Sequence, residues 1–211
     1  MIIHRVLDEL FRSRSRVAVL RALLDSTTGL TGNQAGRAAG MSPRSAFKAL
    51  DALEALGVVR RQRGGRDHLF TLNRNHFLVT QGILPLFQIE TEFSESLSAA
   101  IASALRGKVV SASIFGSVAR REETPASDLD LCCVVRDSEH VSAVESAIDA
   151  ETQLLYRRYG VKLSPVILTV AEFRKKQKSD VVKDIVGHGM HLTGKDPRLI
   201  IDGKPKRKKI R

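Results

Sequence analysis

The sequence predicts an α+β protein in two parts, and three observations support this prediction. Apolar residues recur at helical spacing through the first 57 residues. The spacing then changes to the alternation typical of strands, on either side of a Gly-Gly pair. From residue 108 onward, apolar strand-like runs alternate with segments of helical spacing. We therefore expect an N-terminal helical module ending in a hairpin, and a small C-terminal α/β domain.

Composition limits the class of protein. The chain has 211 residues, 43% of them hydrophobic, which suffices for one large core or two small ones. No apolar run approaches the roughly 18 residues of a membrane span, and acids follow the first residues where a signal peptide would have its apolar segment. We therefore expect a cytoplasmic protein without membrane association. Cys132 and Cys133 are adjacent in a strand-like run and should point to opposite faces, which argues against a disulfide framework.

The net charge of +11 is unevenly distributed. Residues 1–80 contain 13 Lys/Arg against 6 Asp/Glu, residues 81–199 contain 15 against 16, and residues 200–211 contain 6 against 1. A nucleic-acid phosphate backbone is the commonest partner for basic charge concentrated in one module and a tail, because Lys and Arg release its condensed counterions. The alternative is that this charge serves only solubility.

The first elements are helices. Apolar residues at helical spacing over residues 6–24 predict one long helix, kinked near Ser13. A short Ala-rich segment follows Thr31 and ends at Gly40. Ser42 and Pro43 then provide an N-cap and a first helical position, so another helix begins there and ends at Gly57.

A basic hairpin is predicted after this helix. Residues 58–63 and 66–72 alternate, and Gly64-Gly65 between them is a hairpin signal. Helix, short helix, capped helix and hairpin, in this order, resemble a winged helix-turn-helix. The resemblance implies that the second helix of the pair lies in the major groove of double-stranded DNA and that the wing contacts phosphates. The candidate DNA-binding residues are Arg44, Ser45 and Lys48 on the helix and Arg60, Arg61, Arg63 and Arg66 on the wing. Alternatively, the module serves protein binding or dimerisation.

A strand–loop–strand segment carries the candidate chemistry. A strand is predicted over residues 109–115, and Gly116-Ser117 opens a short helix directly after it, a geometry that aims backbone N–H groups at an anion. After a turn, Asp128 and Asp130 fall in the next strand, where their one-residue separation places both carboxylates on the same face. Such a pair suits Mg²⁺, which prefers carboxylates together with substrate phosphates.

The Gly-Ser-Val-Ala-Arg and Ser-Asp-Leu-Asp-Leu segments resemble the minimal nucleotidyltransferases of the DNA polymerase beta-like superfamily. The resemblance implies a mixed sheet flanked by helices. It also implies binding of a nucleoside triphosphate such as ATP with Mg²⁺ or Mn²⁺, and transfer of a nucleoside monophosphate to an acceptor. The catalytic, metal-binding candidates are then Asp128 and Asp130, and the nucleotide-binding candidates are Gly116, Ser117, Arg120 and Ser127.

One departure from this family concerns a third carboxylate. Active members typically carry it on the next strand, where it helps to bind metal and to activate the attacking hydroxyl. Here that strand, predicted over residues 161–170 after a helix at 141–156, contains no acid; Lys162 or Ser164 falls at the expected place. Residues 172–192 are then predicted to be helical, and residues 193–197 to form a terminal turn.

The predicted domains are a winged helix-turn-helix over 1–80, a connecting helix over 81–107, a nucleotidyltransferase domain over 108–197 and a basic, disordered tail over 198–211. Three functions are consistent with this organisation. The first is a DNA-binding nucleotidyltransferase with an unknown acceptor, the second a transcriptional regulator whose transferase domain senses nucleotide or is inactive, and the third an antitoxin of a toxin–antitoxin pair. A homodimer would suit a palindromic DNA site because it supplies two recognition helices.

Overall fold

A computed structural model describes residues 2–64 and 67–202. The chain divides into two compact units, residues 1–91 and 92–211. Over the described part of the chain, no helix has the length and apolar character needed to cross a bilayer.

Four helices open the first unit. They are α1 (Val6–Leu10), α2 (Arg14–Leu24), α3 (Gly32–Ala38) and α4 (Pro43–Ala55). Ser13 caps α2, so the predicted kink is a break between two helices. Thr31 and Gln34 form a capping box on α3. Ser42 accepts a hydrogen bond from the Ser45 N–H at the start of α4, which confirms the predicted cap.

A three-stranded antiparallel sheet completes this unit. Its strands are β1 (Leu30–Thr31), β2 (Val59–Gly64) and β3 (Asp67–Leu72), in the order β1-β3-β2. The predicted hairpin is confirmed, since Gly64 pairs with Asp67 across its end. β1 was not predicted, because two residues are too few to show an alternating pattern.

The first core lies between the helices and this sheet. Its fully buried members include Leu20, Leu23, Leu50, Leu53 and Phe70. Phe47 of α4 is 36% exposed, whereas Ala46, Leu50 and Leu53 of the same helix are buried.

A long helix contains the division between the units. A π-helical turn (Val79–Ile83) leads into α5 (Leu84–Leu105). Within α5, Leu97, Ile101 and Leu105 are buried in the core of the second unit. Ile89 and Phe93, which lie earlier in the helix, are exposed.

The second unit is built on a four-stranded mixed sheet. Its strands are β4 (Ser111–Phe115), β5 (Leu129–Val135), β6 (Leu163–Thr169) and β7 (Met190–Gly194), in the order β6-β5-β4-β7. β5 and β6 are parallel, whereas β4 is antiparallel to both β5 and β7.

Helices cover both faces of this sheet. The second unit also contains α6 (Gly116–Arg120), a short 3-10 turn (Ser138–His140), α7 (Val141–Tyr159), α8 (Val170–Lys175), α9 (Asp180–His188) and α10 (Pro197–Asp202). One apolar cluster joins α5 and α7 to one face of the sheet, and a second joins α8, α9 and α10 to the other. The predicted α+β class with a mixed sheet flanked by helices is confirmed.

The C-terminal prediction was wrong in one element. Residues 190–192 were assigned to a helix and residues 193–194 to a turn, but together they form β7. Gly189 ends α9 with extended backbone, and β7 then pairs with the central strand β4. This pairing partner lies almost 80 residues earlier in the sequence, so local spacing could not reveal it.

Candidate active site and candidate DNA-binding surface

Gly116 is held against Asp130. It connects β4 to α6, and the antiparallel register places Phe115 opposite Asp130. The φ of Gly116 is +73°, and a Cβ at this position would lie 2.2 Å from Asp130 Oδ2. Only glycine meets both requirements, the left-handed backbone and the close approach of a carboxylate.

The two candidate metal-binding acids lie at the start of β5. Asp130 is half-buried in the strand, and Asp128, which immediately precedes the strand, is exposed. Leu129 and Leu131 pack with α5 and α7, so Asp130 projects toward the opposite face, which α8, α9 and α10 cover. No group of three or more His, Cys, Asp or Glu side chains with metal-binding geometry is found among the described residues. Two carboxylates completed by substrate phosphates are a donor set that fits Mg²⁺.

The serine candidates have different surroundings. Ser117 is half-buried in α6, and its carbonyl oxygen accepts the N–H of Glu122 at 2.9 Å. Ser127 is exposed, and its hydroxyl oxygen accepts the N–H of Thr124 at 3.0 Å. Ser127 therefore stabilises the turn that immediately precedes Asp128 and the start of β5.

Arg120 is ion-paired at the end of α6. Its Nε lies 2.9 Å from Glu122 Oε2, and its Nη1 lies 2.9 Å from Asp184 Oδ2. Two hydrogen bonds raise the pKa of the Arg120 guanidinium, and the one to Glu122 has a larger effect than the one to Asp184. In this arrangement Arg120 faces two carboxylates of its own chain.

Asp184 belongs to this site, and the sequence interpretation missed it. It lies on α9, and its Oδ2 accepts the N–H of Gly116 at 3.0 Å. Burial by itself raises the pKa of Asp184, but hydrogen bonds from Gly116, Arg120 and His188 outweigh it and lower the pKa. Gly116 and Asp184 are 68 positions apart in the sequence, so no local pattern could have connected them.

β6 supplies a hydroxyl where the family typically has an acid. The parallel register places Ser164 beside Asp130, and the Leu129 N–H donates to the Lys162 carbonyl at 2.8 Å. The strand therefore brings no third carboxylate to Asp130, in agreement with the sequence.

The two cysteines are free thiols on opposite faces of β5. Cys132 packs in the cluster with α9, and Cys133 in the cluster with α7. Burial raises the pKa of both thiols to about 12. Burial therefore disfavours the thiolate, the form of cysteine that acts as a nucleophile.

The candidate base-reading residues lie exposed at the start of α4. Arg44, Ser45 and Lys48 are all solvent-accessible. Ser45 and Lys48 line a cleft of about 570 Å³, together with Arg12, which lies between α1 and α2, and Arg16 of α2. These two arginines were not among the sequence candidates; both are ion-paired with Glu9.

The arginines of the predicted wing differ in their environment. Arg60 and Arg63 are exposed on β2. Arg61 instead forms ion pairs with Asp51 and, at 2.6 Å, with Glu54, and its guanidinium lies 4.9 Å from the centre of the Phe70 ring. Arg61 therefore joins β2 to α4. Arg66 lies outside the described residues, as does the tail beyond residue 202.

Comparison with known proteins gives one family match, which lies in the second unit. Residues 97–190 match the family model of the nucleotidyltransferase domain. The match includes Gly116, Ser117, Asp128, Asp130 and Asp184. The match begins inside α5 and ends as β7 begins.

Two solved structures show weaker similarity. One, described as a toxin-antitoxin with AMP-PNP, has 20% identity and a TM-score of 0.35, and covers 50% of this chain and 81% of its own. The other, TrmBL2, an archaeal chromatin protein described with a novel mode of DNA binding, has 15% identity and a TM-score of 0.30, and covers 86% of this chain and 72% of its own. No curated protein gives a significant match.

Proposed function

We propose that the second unit binds a nucleoside triphosphate with Mg²⁺ and transfers a nucleoside monophosphate to an acceptor, while the first unit binds double-stranded DNA. The observation that carries the first part is the contact between Gly116 and the Asp130 carboxylate. It brings the glycine of one motif and the acid of the other together inside the segment that matches the nucleotidyltransferase family.

The proposed roles follow from the position of each residue. Asp128 and Asp130 would hold Mg²⁺, which supplies charge neutralisation for the phosphates. Gly116 lets the Asp130 carboxylate lie directly against the backbone of the motif, and Ser117 adds a hydroxyl donor for the triphosphate. The acceptor attacks the α-phosphorus, the bond to the β-phosphate oxygen breaks, and pyrophosphate leaves.

The experiment measures transfer directly. Purified protein is incubated with Mg²⁺ and each α-labelled nucleoside triphosphate, alone and with cell extract. The Asp128→Asn/Asp130→Asn variant should lose transferred label. A matched control, Glu145→Gln/Asp149→Asn, removes two exposed carboxylates from α7 and should retain it. Equal labelling by both variants would contradict the proposed site.

A second candidate function is favoured by Ser164. With a hydroxyl beside Asp130 in place of an acid, the domain could bind nucleotide and regulate DNA binding without transfer. In that case no label is transferred, the wild type still binds labelled nucleotide, and its affinity for its DNA changes when Mg²⁺ and nucleotide are added.

The DNA-binding part of the proposal is supported by exposed basic residues on α4 and β2. Each phosphate contact contributes to the slope of log affinity against log salt. We expect Arg44→Ala/Lys48→Ala to weaken binding to duplex DNA and to flatten this slope. The control Lys175→Ala/Lys178→Ala removes the same charge from exposed positions of the other unit and should leave the slope unchanged. If both pairs have equal effects, charge alone explains the binding.

A further inference from the structure

Asp184 makes three hydrogen bonds on the active-site side of the second unit. Its Oδ2 accepts the Gly116 N–H at 3.0 Å and the Arg120 guanidinium at 2.9 Å. Its Oδ1 lies 3.1 Å from His188 Nδ1. The side chain is only 20% exposed, and both of its oxygens have hydrogen-bonding partners within the protein.

The helix that follows Gly116 needs such a partner. α6 has five residues, too few to be stable without tertiary contacts. Its N-cap residue, Phe115, provides no side-chain hydrogen bond to the first N–H groups. Asp184 supplies an acceptor from another element, and it also holds Arg120 at the other end of the same helix.

The hydrogen bond to Asp184 also affects how Gly116 lies relative to Asp130, the candidate metal-binding acid. Gly116 must keep a left-handed backbone while it lies against the Asp130 carboxylate. A hydrogen bond from its N–H to Asp184 fixes the orientation of this peptide. Because Asp184 is anchored on α9, which packs on the same face of the sheet as Asp130, the position of Gly116 relative to Asp130 is set by the core.

We propose that Asp184 is a positioning residue of the nucleotide site, which fixes Gly116 and Arg120 so that the Gly116 segment and Asp130 are prearranged for the Mg²⁺·triphosphate complex. This inference rests on the proposed nucleotide binding. Asp184 touches neither substrate nor metal; it acts through the Gly116 N–H and the Arg120 guanidinium. Prearrangement strengthens binding because the loop has less conformational freedom to lose.

Two other roles for Asp184 predict different changes in nucleotide affinity. If Asp184 acted as an internal anion that competes with substrate phosphates for the Gly116 N–H, its removal would strengthen nucleotide binding. A purely structural role would lower thermal stability and leave the affinity of the folded protein unchanged. The three roles therefore differ in one measured quantity, the dissociation constant for nucleotide.

The test compares full-length wild type, Asp184→Ala and Asp184→Asn. A fluorescent ATP analogue is titrated in the presence of Mg²⁺, at a temperature where circular dichroism shows each variant to be folded. We expect Asp184→Ala to weaken binding about tenfold, since it removes hydrogen bonds to a charged acceptor. Asp184→Asn keeps an oxygen that accepts the Gly116 N–H and should recover part of the affinity.

Two further variants make the result specific. Asp180→Asn changes the same residue type on the same helix at a fully exposed position, and should bind the analogue like the wild type. Arg120→Ala combined with Asp184→Ala should weaken binding less than the sum of the two single changes, because both act through one contact.

The outcomes separate this proposal from the proposed function. Absence of binding by the wild type overturns both. Binding by the wild type with equal affinity in Asp184→Ala overturns the positioning role and leaves the proposed function intact. Tighter binding by Asp184→Ala also overturns the positioning role and identifies Asp184 as a competitor.

Discussion

The candidate DNA-binding surface and the candidate active site are constructed in opposite ways. The candidate DNA-binding residues that the structure describes in the first unit lie within a short stretch, from Arg44 to Arg63, and most are exposed. The site of the second unit joins Gly116, Asp130 and Asp184 from three separate elements, in direct contact. A surface of separate charges loses affinity in small steps, whereas a site that depends on contacts fails when one contact is lost. Substitutions in the two regions test this difference, and Gly116 is the position with the largest expected effect.

Gly116→Ala should have the largest effect. The added Cβ would displace the Asp130 carboxylate, and the left-handed backbone would be strained. We expect the affinity for Mg²⁺ and the ATP analogue to fall about a hundredfold, which corresponds to roughly 3 kcal/mol. Titration of the folded variant measures this.

Gly160→Ala is the matched control for that change. Gly160 has nearly the same φ, +69°, but no atom lies within 4 Å of its ideal Cβ. It should cost about 1 kcal/mol of stability through backbone strain and leave nucleotide affinity unaltered. Similar losses of affinity in the two variants would show that strain, and not the contact with Asp130, controls the site.

Ser164→Asp should strengthen metal-dependent binding. It places a carboxylate beside Asp130 on the parallel strand β6, where the family resemblance places the third acid. We expect the apparent affinity for Mg²⁺ to rise on the order of tenfold, together with any transferase activity. Ser164→Asn, of similar shape but neutral, is the control. A decrease in Mg²⁺ affinity in Ser164→Asp would mean that Ser164 does not face the metal site.

Two substitutions on β2 should affect different properties. Arg63→Ala should weaken DNA binding, and Arg61→Ala should lower stability. Arg63 is exposed, so its loss should weaken DNA binding a few-fold and reduce the salt slope by about 1. Arg61 is bound by Asp51 and Glu54 and lies over Phe70, so its loss should cost about 1 kcal/mol of unfolding free energy with little change in DNA affinity. Anisotropy titrations and urea denaturation measure the two effects, and the reverse assignment would contradict this interpretation.

The smallest effect concerns acid stability. The pKa of Asp184 is lowered in the folded protein from its ordinary value of 3.8. Its ion pairs therefore stabilise the fold fully above that pH, and this stabilisation is lost as the pH falls through the lowered value. Between pH 5 and pH 3, the unfolding free energy of the wild type should decrease more than that of Asp184→Asn. Parallel decreases would show that the Asp184 contacts do not contribute.

The sequence by itself determined the features that depend on neighbouring residues. Ser42 and Pro43 start α4, and the hairpin at Gly64 joins β2 to β3. The alternation around Asp130 places this residue in a strand. These features could be predicted because caps, turns and strand faces are set by neighbouring residues. The two transferase motifs were recognisable for the same reason, since each is a short contiguous segment. The missing acid on β6 was also visible, because it required only the identity of the residues there.

Only the tertiary structure decided the features that depend on distant partners. β7 pairs with β4 across a long separation in sequence, Arg61 forms an ion pair with Asp51, and Asp184 on α9 accepts a hydrogen bond from the Gly116 N–H. The sequence shows which residues can carry charge or accept a hydrogen bond. Packing of the helices on the sheet decides which of them meet, because residues far apart in the chain become neighbours only when a common core is buried.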